Sequence, residues 1–167
     1  MHSILKSLLL VAVVTAMPVV SNVTDATTAQ AKFSFEGAVE PACKTSSGIN
    51  SIAGLTLDTS QQAQEIGTLE VWCNTGENAT TEYSSLNGGF LVANNAQGSK
   101  MAYTLDIGDT TGVDLQNGIY KHLQATVAGT GNTGDTKATS LKITPLANGL
   151  NAAGTYSDTI TVTVSAN

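Results

Sequence analysis

The chain has 167 residues, 41% hydrophobic and 12% charged, a composition that folds and that suffices for one domain or at most two small ones. Seven lysines, no arginine and thirteen acidic residues give a net charge of −6, which excludes a basic groove for nucleic acid or for an anionic membrane surface. Two histidines, His2 and His122, and two cysteines, Cys43 and Cys73, leave too few groups to assemble a metal site or a nucleophile with its base, so no catalytic residue, metal or cofactor is expected.

The first residues decide the compartment. Lys6 precedes an apolar run from Leu8 to Val20, and a polar stretch then ends in Thr28-Ala29-Gln30-Ala31. One positive charge, a short apolar core and an Ala-x-Ala site form a secretory signal peptide over residues 1–31, with cuts after Ser21 or Ala26 as alternatives. The apolar run is too short to span a bilayer. Residues 32–167 then form one exported domain, since neither a repeat nor a linker divides them. Export places Cys43 and Cys73 where thiols oxidise, and a pair without Cys-x-x-Cys spacing reads as one structural disulfide. Closing a loop of about 30 residues stabilises a domain by roughly 3 to 4 kcal/mol in the chain-entropy model.

Beyond Lys32 the chain alternates with period two, which predicts strands. Phe33, Phe35, Val39 and Cys43 share one parity in a first segment, and Leu69, Val71 and Cys73 repeat the pattern. Met101, Tyr103, Leu105 and Ile107, and later Ile160, Val162 and Val164, mark the two clearest strands. Shorter candidates are residues 52–57, 82–86, 90–93, 119–127 and 141–146. Asn87-Gly88, Asn117-Gly118 and Asn148-Gly149 favour the positive φ of tight hairpin turns, and Gly129 to Gly134 reads as a flexible loop. Many short antiparallel strands with one apolar face must bury that face against a second sheet, which predicts an all-β sandwich or barrel.

Three stretches resemble subunits of the archaic chaperone-usher pili, the spore coat U domain family. They are Phe33-Ser34-Phe35-Glu36-Gly37-Ala38-Val39-Glu40-Pro41-Ala42-Cys43, Gly67-Thr68-Leu69-Glu70-Val71-Trp72-Cys73-Asn74, and the C-terminal strand motif carried by Gly154, Tyr156, Asp158, Ile160, Val162 and Val164. Met101-Ala102-Tyr103-Thr104-Leu105 also resembles that family's central tyrosine-containing strand.

The resemblance implies an immunoglobulin-like Greek-key sandwich that lacks its last strand and is completed by a donor strand. The implied function is that of a structural subunit of a bacterial pilus or fimbria contributing to adhesion or biofilm formation, passing through the periplasm to the cell surface. Its implied partners are a periplasmic assembly chaperone, an outer-membrane usher and neighbouring copies in a homopolymer, with no nucleic acid. The end of the chain three residues after Val164 fits a missing final strand, and the implied donor residues are Phe33 and Phe35, joined by Ala29 and Ala31 when cleavage is earlier. Two alternatives stay open here. Phe33 and Phe35 also read as core residues of an ordinary first strand, and the whole chain also reads as a secreted binding module for a sugar or a surface. A secreted hydrolase is disfavoured by the scarcity of histidine, since His122 has no partner at triad spacing, and Asp106, Asp109 and Asp114 lack the spacing of a calcium loop.

Overall fold

Alternating apolar residues form strands only where a second apolar surface covers them, and the computed structural model finds that cover in two facing antiparallel sheets. It describes residues 28, 30–48, 51–75, 78–95, 97–126 and 136–167, so the signal-peptide assignment, Ala29 and the Gly129 to Gly134 loop lie outside the described residues. Compactness divides the chain into Met1–Ala38 and Val39–Asn167. In the first unit, the described residues form no strand. The described residues of the second form ten strands: β1 (Cys43–Ser47), β2 (Gln64–Cys73), β3 (Ala79–Ser85), β4 (Phe90–Ala93), β5 (Lys100–Ile107), β6 (Thr110–Val113), β7 (Tyr120–Gln124), β8 (Lys137–Pro145), β9 (Tyr156–Ser157) and β10 (Ile160–Ala166).

The larger sheet runs β1-β2-β8-β5-β4-β9, with β6 also paired to β5, and the smaller runs β10-β3-β7. This is the all-β sandwich expected from the pattern, and it is immunoglobulin-like, as the resemblance implies. Parity selects what is buried: Leu69, Val71 and Cys73 on β2, Met101, Tyr103, Leu105 and Ile107 on β5, and Leu141 and Ile143 on β8 form one core with Ala79 and Tyr83 of β3. A bulge between Glu65 and Gly67 shifts the register of β2 against β8. Cys43 and Cys73 face each other across the β1–β2 ladder and are joined by a disulfide.

Several expectations are corrected. Phe33, Phe35 and Val39 are 78%, 93% and 88% exposed, so the alternating lead-in is not a core strand, and pairing begins only at Cys43. Residues 52–57 form no strand, although Ile52, Leu55 and Leu57 are half-buried. Gly88, Gly118 and Gly149 do adopt positive φ, but none closes a hairpin. Asn87-Gly88 and Asn117-Gly118 connect strands of different sheets, and Asn148-Gly149 lies between strands that do not pair. The tight hairpin is β5–β6, turning at Gly108-Asp109.

Candidate functional site

The two sheets of the sandwich are closed unequally. On β10, Ile160, Val162 and Val164 face the core, yet each stays half-buried, whereas the inward residues of β5 are buried outright. The cause is topological. Among the described residues, β10 forms its ladder with β3 and β1 with β2, so each ends its sheet. The backbone C=O of Thr159 accepts from Leu86 N–H on the β3 side. Alternation then turns the N–H and C=O groups of Ile160, Val162 and Val164 toward the open edge. The same residues offer free backbone groups outward and apolar side chains inward.

A groove of about 650 Å³ lies between these edges. Thr45, Ser46 and Ser47 of β1 border one side and Ile160 and Val162 of β10 the other, while Leu69, Leu91, Tyr103, Leu141 and Ile143 reach its floor. No ladder joins β1 to β10, although some of their Cα atoms approach within 8 Å. A strand between two edges needs about 4.8 Å on each side, more than the two strands leave where their Cα atoms stand within 8 Å.

One end of the groove is fixed by a carboxylate. The chain passes from the larger sheet to the smaller between β9 and β10, and Asp158 sits at that crossing. Its Oδ2 accepts from Tyr103 Oη–H and from Ser85 Oγ–H, each at 2.6 Å, while its Oδ1 accepts from the backbone N–H groups of Asn87 (3.0 Å) and Thr159 (2.7 Å). Tyr103 is buried, and burial together with the bond to Asp158 raises its hydroxyl well above the ordinary tyrosine range. Residue 89 in the neighbouring crossing is confined to glycine. Its φ is +78°, and a Cβ there would lie 2.8 Å from the Gln116 nitrogen.

The remaining singled-out residues play local parts. Tyr156 donates to Ala152 C=O at 2.7 Å, and Gly154 lies against Asn95 and Ala93. The carboxylates of Asp106 and Asp114 accept backbone N–H groups of Gly112 and Gln116, each at 2.8 Å, so both build turns. Trp72 is buried with the Lys44 ammonium 5.3 Å from its ring centre. Phe33, Phe35 and Ala31 are exposed in the N-terminal unit.

Sequence reasoning missed Ser85, Asn87 and the groove floor, because these residues come together only when non-adjacent strands pack. It also missed Asn74, whose side chain bonds two lead-in residues, donating to Glu40 C=O and accepting from Ala42 N–H, each at 2.8 Å.

No protein-family model matches this chain, and no curated protein matches it. Among solved structures, the chain is similar to one described as the crystal structure of the CsuC-CsuE chaperone-tip adhesion subunit pre-assembly complex from archaic chaperone-usher Csu pili of Acinetobacter baumannii. The identity is 14% and the TM-score 0.43, over 76% of this chain and 40% of that chain, so this chain spans less than half of its length.

Proposed function

We propose that this chain is an exported structural subunit of a bacterial surface pilus, assembled by donor-strand exchange and without catalytic activity. The observation that carries the reading is the groove between β1 and β10, where Ile160 and Val162 combine unpaired backbone with half-covered apolar side chains. An open edge beside exposed core is an aggregation hazard unless a strand fills it, and strand addition supplies both the missing ladder and the missing apolar cover.

The exposed segment that carries Phe33 and Phe35 is the donor. Its alternation is that of a strand, and its large apolar residues remain in solvent. Three apolar side chains inserted into the groove contribute on the order of 5 to 10 kcal/mol gross, before the entropy of ordering the segment. An assembly chaperone fills the groove first in the periplasm, an usher conducts the exchange, and neighbouring copies then form the fibre at the cell surface. The disulfide fits an oxidising compartment.

The test is strand uptake. Purified protein is incubated with a labelled synthetic peptide of residues 28–40 and, separately, left to self-associate. Saturable uptake of the peptide, and ladders that survive detergent but not boiling, are expected from the protein as it stands. Replacing both phenylalanines (Phe33→Ser with Phe35→Ser) removes the ladders while leaving the groove able to take the wild-type peptide. A stable monomer that ignores the peptide overturns the reading and favours a self-sufficient binding module.

A further inference from the structure

Three asparagines of this chain precede a glycine, Asn87, Asn117 and Asn148, and none of the three pairs closes a hairpin. Their shared chemistry is reactive. A glycine carries no Cβ to keep its backbone nitrogen away from the side-chain amide carbon of the residue before it. That nitrogen, once it loses its proton to solvent base, attacks Cγ, closes a cyclic imide and expels the side-chain nitrogen as ammonia. Water then opens the ring at either carbonyl, leaving aspartate or, with the main chain rerouted through the side chain, isoaspartate. The balance is one water consumed and one ammonia released, with no other reactant.

The fold treats the three pairs differently. At Asn87, Nδ2 donates to Ser157 C=O at 3.2 Å, the backbone N–H is held by the Asp158 carboxylate, and Gly88 N–H points to Ser85 C=O at 3.4 Å. At Asn117, Nδ2 donates to the Asp114 carboxylate at 3.2 Å, and Gly118 N–H to Leu115 C=O at 3.3 Å. In both, the amide is held through its nitrogen, the attacking N–H is engaged, and a nearby carboxylate opposes the negative charge that must develop. Asn148 has the reverse arrangement. It is exposed, its Oδ1 accepts from Leu150 N–H at 2.9 Å, and among the described residues neither its Nδ2 nor Gly149 N–H makes a hydrogen bond. The Leu150 N–H polarises the amide carbonyl and meets the negative charge as it forms on Oδ1. We propose that Asn148 is a self-modification site, where the folded chain converts to aspartate and isoaspartate, and that the same fold protects Asn87 and Asn117. The aspartate product keeps the acceptor for Leu150 and makes an already acidic chain one charge more negative, while isoaspartate adds a methylene to the main chain between β8 and β9. The modification needs no partner and is independent of the donor-strand reading.

The experiment incubates the full chain in mildly alkaline buffer, folded and, in parallel, reduced and unfolded in urea. Samples are digested at acidic pH, where the conversion stops, and tandem mass spectrometry reads the amide-to-acid mass gain at each asparagine. Enzymatic methylation of isoaspartate identifies the rerouted product. In the folded protein Asn148 is expected to convert at least about tenfold faster than Asn87 or Asn117, the scale of one hydrogen bond that assists rather than opposes the step. In urea the three rates converge, since the fold no longer distinguishes the sites. The variant Asp114→Ala frees Nδ2 of Asn117 and raises its conversion severalfold without changing Asn148. Equal folded-state rates at the three sites, or an Asn148 that stays intact for the time in which the unfolded chain converts fully, overturn the proposal. An Asn148 that leads by the same factor in urea also overturns it, because local sequence would then set the preference, as does an Asn117 unmoved by Asp114→Ala.

Discussion

The hydroxyl of Tyr103 donates to Oδ2 of Asp158 at 2.6 Å, tying a central strand of the larger sheet to the crossing that launches β10 in the smaller. A second buried tyrosine, Tyr83 of β3, has a hydroxyl that makes no hydrogen bond of standard geometry among the described residues, although the Thr81 side chain lies close enough to interact with it. The same substitution therefore has opposite consequences at the two positions. Tyr103→Phe removes a bond to a carboxylate and costs about 1.5 to 3 kcal/mol, although Ser85, Asn87 and Thr159 still serve Asp158. Tyr83→Phe removes a buried polar atom without a well-formed hydrogen bond, and stability changes by less than about 0.5 kcal/mol or rises. Urea unfolding in the Phe33→Ser/Phe35→Ser background, which lacks the two proposed donor side chains, measures both. Equal losses at both sites would contradict the bonding seen at Asp158.

Alkaline pH acts on the same two side chains. Burial raises the hydroxyl of Tyr103 and that of Tyr83 above the ordinary tyrosine range. The folded state therefore favours the protonated form, while the unfolded chain ionises near pH 10. Stability is fully present below about pH 10 and falls as pH rises through the folded-state values, by up to about 1.4 kcal/mol per pH unit for each tyrosine. The phenolate absorbance of these residues should appear together with the loss of circular dichroism. Phenolate signal from both in the intact fold would contradict their burial.

The Cys43–Cys73 disulfide closes a loop with a sequence separation of 30. Replacing both cysteines by serine is expected to cost about 3 to 4 kcal/mol, chiefly by releasing the unfolded chain. The loss should appear as a lower urea midpoint with a steeper denaturant slope, since the unfolded state becomes less compact and exposes more surface. A midpoint unchanged within error would show that the ladder alone holds β1.

How much of this was legible in the sequence depended on whether a partner surface existed. Strand β5 was plain because Met101, Tyr103, Leu105 and Ile107 are all buried on one face, and β4 matched its prediction at residues 90–93. The segment from Phe33 to Val39 alternates just as regularly but pairs with nothing in the described structure, because alternation records that a chain can be a strand and not where its partner lies. Strand β9 has two residues and β6 has four with a glycine among them, too few to show a period. Asp158 was visible only as part of a motif. Its role depends on Ser85 and Tyr103, which lie 73 and 55 residues away in sequence.

The groove itself is tested by two neighbouring residues of β10 that point in opposite directions. Val162 faces the core and lines the groove, whereas Thr163 is exposed on the outer face. Val162→Glu places a carboxylate among Leu69, Tyr103 and Leu141, where an entering strand would strip it of water without giving it a partner. Peptide uptake should weaken by more than roughly a hundredfold, while the domain stays folded because the new charge faces solvent until a strand arrives. Thr163→Glu adds the same charge one residue later and should leave uptake unchanged within about twofold. Fluorescence anisotropy of the labelled peptide reads both. Equal losses at the two positions would mean that net charge, not the groove, governs uptake, and full uptake by the Val162→Glu protein would place strand addition at another edge.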